Sequence, residues 1–158
     1  MVQTTDQGMR GYLDRLKDLG DLEVVAGHLG ATARELHPRG QGVTTKGQVA
    51  KFVQFGTPRM KARPFMDLAS ANLQSSGSFQ ALVKRSLQPK KNMLNGVIPI
   101  GMESAEAIRE AIVALDAVDT GTTRDSVEYE IRTSGGRVLA QGTTTNSNDN
   151  SALAAWRA

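Results

Sequence analysis

The sequence contains no cysteine, two histidines, one tryptophan, two tyrosines and four phenylalanines in 158 residues. Without cysteine there is no disulfide, thiolate metal site or cysteine nucleophile, which suits a chain assembled in a reducing cytoplasm. With aromatics at only 4%, the core must rest on aliphatic side chains and short elements. No stretch approaches the roughly 18–20 apolar residues of a membrane span, and Met1–Asp6 has neither a basic nor an apolar region. The expectation is a soluble chain with no membrane contact and no recognisable export signal. Catalysis needs a nucleophile with base and orienting group, or a metal cluster, and two histidines supply poor material for either. The sequence therefore predicts a non-enzymatic protein without cofactor or metal.

The hydrophobic pattern predicts an α+β fold in which a small mixed or antiparallel sheet, including a C-terminal hairpin, packs against three to five helices. Residues 1–141 read as a single structural domain and 142–158 as a polar C-terminal arm. A helix is expected from Asp6 to Leu19, with Tyr12, Leu13, Leu16 and Leu19 on one face and Gly20 ending it. Leu22–His28 is apolar and β-branched, which predicts a strand. Residues 29–46 show no period and read mainly as an exposed loop, with room for a short helix at Thr32–His37.

Thr45 and Gln48 form a capping-box pair, so a helix should begin there and present Val49, Phe52 and Val53. Gly56 stands where a positive φ turns the chain out, and Pro58 prevents continuation. Thr57–Pro64 then reads as an extended connector. A helix from Pro64 should bury Phe65, Leu68, Ala69 and Leu73 and stop near Ser75. Another, capped by Ser78, should turn Phe79, Leu82, Val83 and Leu87 inward and end before Pro89. Met102, Ala105, Ile108, Ile112 and Leu115 keep a long helical stripe. Val127, Tyr129 and Ile131 alternate with polar residues as in a half-exposed strand, and Ser134-Gly135-Gly136 predicts a turn returning Arg137–Gln141.

Several constellations have a chemical reading and a plainer one. His28 and His37 lie outside any metal-ligand spacing and read as structural. Gly40–Gly47 superficially suggests a phosphate loop, but Lys46 precedes the last glycine and no strand abuts it. Asp116 and Asp119 sit where a helix ends, the usual place for aspartate. Between Arg59 and Lys91 seven cations face Asp67 alone, a local charge of +6. Lys84, Arg85, Lys90 and Lys91 in that stretch read as a solvated helix face, or as contacts to DNA or an acidic partner. A nucleic-acid-binding module using residues 59–91 is thus the alternative function.

Val49-Ala50-Lys51-Phe52-Val53-Gln54-Phe55-Gly56-Thr57-Pro58-Arg59-Met60-Lys61-Ala62-Arg63-Pro64-Phe65-Met66 resembles a signature of tailed-bacteriophage morphogenesis proteins: a helix ending in Phe-Gly-Thr, a short linker, then Arg-Pro-Phe. Asp119-Thr120-Gly121-Thr122-Thr123-Arg124-Asp125-Ser126-Val127 is similar to a second motif of that group. The resemblance spans roughly residues 22–131. Gln54 departs from the glutamate frequent in the family, and Thr123 from its usual leucine.

The family looks like neck or tail-completion proteins, small α/β subunits forming rings between portal and tail. The resemblance implies a virion protein of neck or tail, made in the host cytoplasm, with no catalytic residues. Its expected partners are copies of itself in a sixfold ring, the portal/connector or collar proteins, and the tail terminator or tail tube. Genomic DNA would pass through the channel with nonspecific contact at most. Phe55, Gly56, Thr57, Arg59, Arg63, Pro64 and Phe65 are candidate contacts to a neighbour, or else an internal clamp between helices. Trp156, at the end of the polar arm, is a candidate anchor for a partner.

Overall fold

The structure, a computed structural model, describes residues 5–39, 42–88, 93–117 and 121–143. The chain begins with helix α1 (Thr5–Gly20) and strand β1 (Leu22–Gly27), then a one-turn helix α2 (Gly30–Arg34). Helices α3 (Lys46–Phe55), α4 (Phe65–Ser75), α5 (Gly77–Ser86) and α6 (Met93–Ala114) follow, and a short helix α7 (Thr122–Asp125) leads into strands β2 (Glu128–Thr133) and β3 (Val138–Thr143). This is an α+β arrangement, with a three-stranded antiparallel sheet of order β1-β2-β3 packed on helices. Of the seven helices among the described residues, five have ten residues or more.

Strand β1 pairs with β2 from far along the chain, Val24 opposite Ile131 and Ala26 opposite Tyr129. Those four face the core because alternate residues share one side of a sheet. Strand β3 returns from the Ser134-Gly135-Gly136 turn, closed by Thr133 N donating to Arg137 O at 2.9 Å, with Gly136 at φ +80°. It runs through Thr143, and the rest of the arm expected over 142–158 lies outside the described residues.

Helix α6 spans about 33 Å at 1.5 Å per residue and is the hub of the fold. It meets α4, α5, α7 and all three strands. Its buried face carries Met102, Ala105, Ile108 and Ile112 of the expected stripe together with Ala111, while Leu115 falls just past the helix end and is half-buried. The small residues allow close approach: a Cβ on Gly101 would lie 2.5 Å from the Tyr129 ring. The helix starts nine residues before the recognisable stripe and runs through a buried Pro99.

Several local expectations are corrected. Ser76, not Ser78, caps α5, its hydroxyl accepting from Phe79 N at 3.2 Å. The connector is not extended throughout, since Thr57 and Met60 exchange two backbone hydrogen bonds (2.9 and 3.1 Å) in a tight turn. Pro64, at φ −77° and ψ 69°, precedes the helix instead of opening it, in an inverse γ-turn closed by Phe65 N donating to Arg63 O at 2.8 Å. On the helix faces, Phe52 and Val83 lie substantially exposed, while Gln54 is buried. No helix among the described residues is long and apolar enough to cross a membrane.

Candidate functional site

Helix α3 begins with the anticipated capping box: Thr45 Oγ1 accepts from Gln48 N and Gln48 Oε1 from Thr45 N, at 3.3 and 2.9 Å. It ends at Gly56, whose φ of +76° and ψ of 177° suit glycine alone. A Cβ there would lie 2.8 Å from Ala62 N and 2.9 Å from Met60 O, both main-chain atoms. The Phe-Gly-Thr sequence therefore builds a tight reversal in which the chain folds back on itself.

Gln54 fastens this reversal from inside. Its Oε1 accepts from Met66 N at 2.9 Å and its Nε2 donates to Asp67 Oδ2 at 3.0 Å, tying the last turn of α3 to the first of α4. Arg63 N donates to Val53 O at 2.8 Å, and the Arg63 guanidinium donates to the main-chain carbonyl of Asp116 just beyond α6. A cation there complements the negative end of the helix. Asp116 has φ +49°, a helix-terminating conformation, so the plain reading of that aspartate is the one observed. Asp119 lies outside the described residues.

The two motifs behind the phage resemblance meet in space. Phe65, 1% exposed, sits in the chain's own core, so this candidate contact faces inward. His28 packs edge-on against it with ring centroids 6.2 Å apart, and His28 Nε2 donates to Thr123 O at 2.7 Å. Thr123 is buried in α7, and Ser126 Oγ donates to the same carbonyl at 3.2 Å. Burial lowers the His28 pKa, partly countered by the bond to Thr123. The other histidine, His37, is buried and accepts from Arg39 N at 3.2 Å through Nδ1. Both are engaged structurally, and no group of metal-ligating side chains occurs among the described residues.

The outward side of the connector differs. Phe55 is 72% exposed and Phe52 43%, three residues apart and hence neighbours on one helix face. Arg59, Met60, Lys61 and Pro64 are exposed beside them in sequence. Lys84 and Arg85 are exposed on the last turn of α5, where cations favour the helix end. Lys90, Lys91 and Trp156 lie outside the described residues.

One cluster escaped the sequence reading. Arg109 is buried on α6, its Nη2 reaching Val127 O at 3.4 Å while Nε has no hydrogen-bond partner among the described residues. It lines an open cleft of about 530 Å³ with Glu106, Glu110 and the ion-paired Arg124 and Asp125 (2.8 Å). The available signal was its position four residues after Ala105, on the buried stripe. Neither a protein-family model, nor a curated protein, nor a solved structure matches the chain.

Proposed function

We propose that the chain is a non-enzymatic structural subunit of a tailed-bacteriophage neck, forming a homo-oligomeric ring that joins head to tail and leaves a channel for DNA. The observation carrying this reading is the two-sided connector, with its inner side locked by Gln54, Gly56 and Arg63 and its outer side presenting Phe52 and Phe55 to solvent. A reversal pinned this firmly does not need two exposed phenylalanines for its own stability. Adjacent exposed aromatics on a rigid element suit a protein contact, because little conformational entropy is lost when they are covered.

Ring closure needs a heterologous contact, in which one patch meets a different patch next door. Phe55, Thr57, Arg59 and Pro64 form one such patch in this proposal. If the channel admits DNA, Arg59 and Lys84 would supply nonspecific phosphate contact that weakens as salt rises.

The decisive experiment is deletion of the gene from a phage that carries it. Unjoined heads and tails are expected, restored by wild-type protein and not by Phe55→Ser. Joined, infectious particles without the protein would refute the proposal. In solution, sedimentation should show rings for wild type and subunits for Phe55→Ser, with equal thermal stability of the folded chains.

A further inference from the structure

Between α4, α5, α6 and the edge of β1 lies an open groove of about 380 Å³, walled by Ala26, Met66, Leu73, Phe79 and Ile108, with Ser70 and Gln74 at its rim. Its size and apolar walls suit one large aromatic side chain with a polar atom at the mouth. Trp156 is the only tryptophan of the chain, within Ala152-Leu153-Ala154-Ala155-Trp156-Arg157-Ala158.

The sheet register brings Thr143, the last described residue before this segment, near the groove. Gly27, next to Ala26, pairs with Glu128, which pairs on its other side with Thr143. With strands about 4.8 Å apart, Thr143 stands roughly 10 Å across the sheet from that end of β1. A Cβ on Gly27 would lie 3.2 Å from Met66 Cε, so the Met66 wall stands at this same end. From residue 144 to Trp156 the chain could extend up to about 43 Å, far more than the gap requires.

The chemistry is complementary. Residues 143–151 hold no apolar side chain, whereas 152–158 hold leucine, tryptophan and four alanines. A thioether and a phenyl ring are favourable company for an indole. Gln74 Nε2 donates to Ser70 Oγ at 3.3 Å, which keeps the Gln74 amide oxygen as the acceptor for the indole N–H. A tether this short raises the local concentration of the segment to the millimolar range, favouring the groove of the same chain over that of a neighbour.

We propose that Ala152–Ala158 docks in this groove of its own chain, with Trp156 seated among Met66, Leu73 and Phe79. The proposal does not rest on the phage reading, and it assigns Trp156 an intramolecular partner.

Because Trp156 is unique, its emission reports its surroundings directly. In the full chain the emission should be blue-shifted from that of free tryptophan amide and several-fold less quenched by acrylamide. Leu73→Asp should return both to the free values with unchanged circular dichroism. As a second measurement that leaves the apolar walls intact, Ser70→Cys labelled with bimane places a fluorophore at the rim of a chain without other thiols. Contact with Trp156 should quench it, and W156F should raise its brightness several-fold. Free-like emission in wild type, shielding that survives Leu73→Asp in a folded protein, or bimane brightness indifferent to W156F would each overturn the proposal. Emission that reddens on dilution would also overturn it, by making the occupant's groove that of a second copy.

Discussion

The imidazole Nε2 of His28 donates to the carbonyl oxygen of Thr123 across 2.7 Å while the same ring meets Phe65 edge-on. One side chain just after β1 thereby holds the segment entering α4 against α7, although the two are far apart in sequence. A carbonyl only accepts, so Nε2 carries the proton, and neutral imidazole fills this role without burying a charge.

That geometry predicts a pH dependence. Burial places the folded-state pKa of His28 below its ordinary value of 6.5. The folded chain thus binds this proton less readily than the unfolded chain. His28 therefore leaves stability unaffected above 6.5, lowers it as pH falls below 6.5, and adds no further loss beneath the folded pKa. His28→Gln keeps a donor and cannot titrate. Between about pH 7.5 and about pH 5.5 wild type should lose more of its melting temperature than His28→Gln. Equal losses would show that His28 is not the titrating group.

Gln54 both donates and accepts, which its amide can do and an ionised carboxylate cannot. Gln54→Ala should cost about 1–3 kcal/mol in urea unfolding, because Met66 N loses its partner. Gln54→Glu should be destabilising for another reason, since it sets a second carboxylate against Asp67. Its deficit should shrink as pH falls into the carboxylate range, and Asp67→Asn in the same chain should relieve it at neutral pH. A Gln54→Glu protein as stable as wild type would exclude this account.

Gly56→Ala should cost at least about 1–3 kcal/mol, combining a strained φ with a Cβ pressed on main-chain atoms that cannot swing away. Gly77 is the control. Nothing lies within 4 Å of a Cβ built there, in the first turn of α5. Gly77→Ala should be neutral or stabilising by up to about 1 kcal/mol, as alanine is the better helix former. Thermal melts of the two variants should move apart.

Tyr129 packs between two glycines, Gly101 of α6 and Gly142 of β3, whose built Cβ atoms would fall 2.5 and 2.7 Å from its side chain. Gly101→Ala should therefore overpack the core and lose about 1–3 kcal/mol. In a Tyr129→Leu background the same alanine should cost much less, giving a coupling energy of about 0.5–3 kcal/mol. Simple additivity of the two losses would disprove the packing argument.

Much of the fold was legible because local signals carried it. Thr45 with Gln48, the Gly135-Gly136 turn and the stripe from Met102 to Ile112 act over a few residues, and each appears as read. Burial of polar side chains was not legible. Gln54 and Glu130 look like solvent positions, yet Gln54 is held by Met66 and Asp67 of α4, partners that only the tertiary fold supplies, and Glu130 is buried while paired at 2.5 Å with Arg132, two residues along its own strand. Pro99 hid the first turns of α6, since an internal proline costs about 3 kcal/mol in an isolated helix. Packing against the sheet and neighbouring helices overrides that penalty. At the candidate interface, sequence located the connector but could not divide it into an inner clamp and an outer face. That division depends on which way Phe55 and Phe65 point after the reversal at Gly56.

The hub position of α6 implies a hierarchy of motion. Amide protons on its buried turns can exchange with solvent only when the sheet and the helices around it separate together, so they should report the global unfolding free energy. Helix α1 is held chiefly through β1 and leaves Leu13 and Leu16 partly exposed. Its amides should exchange through local opening, orders of magnitude sooner, while the rest of the chain stays intact. The protein would then carry at its beginning an element that can detach and re-dock without disturbing the architecture behind it.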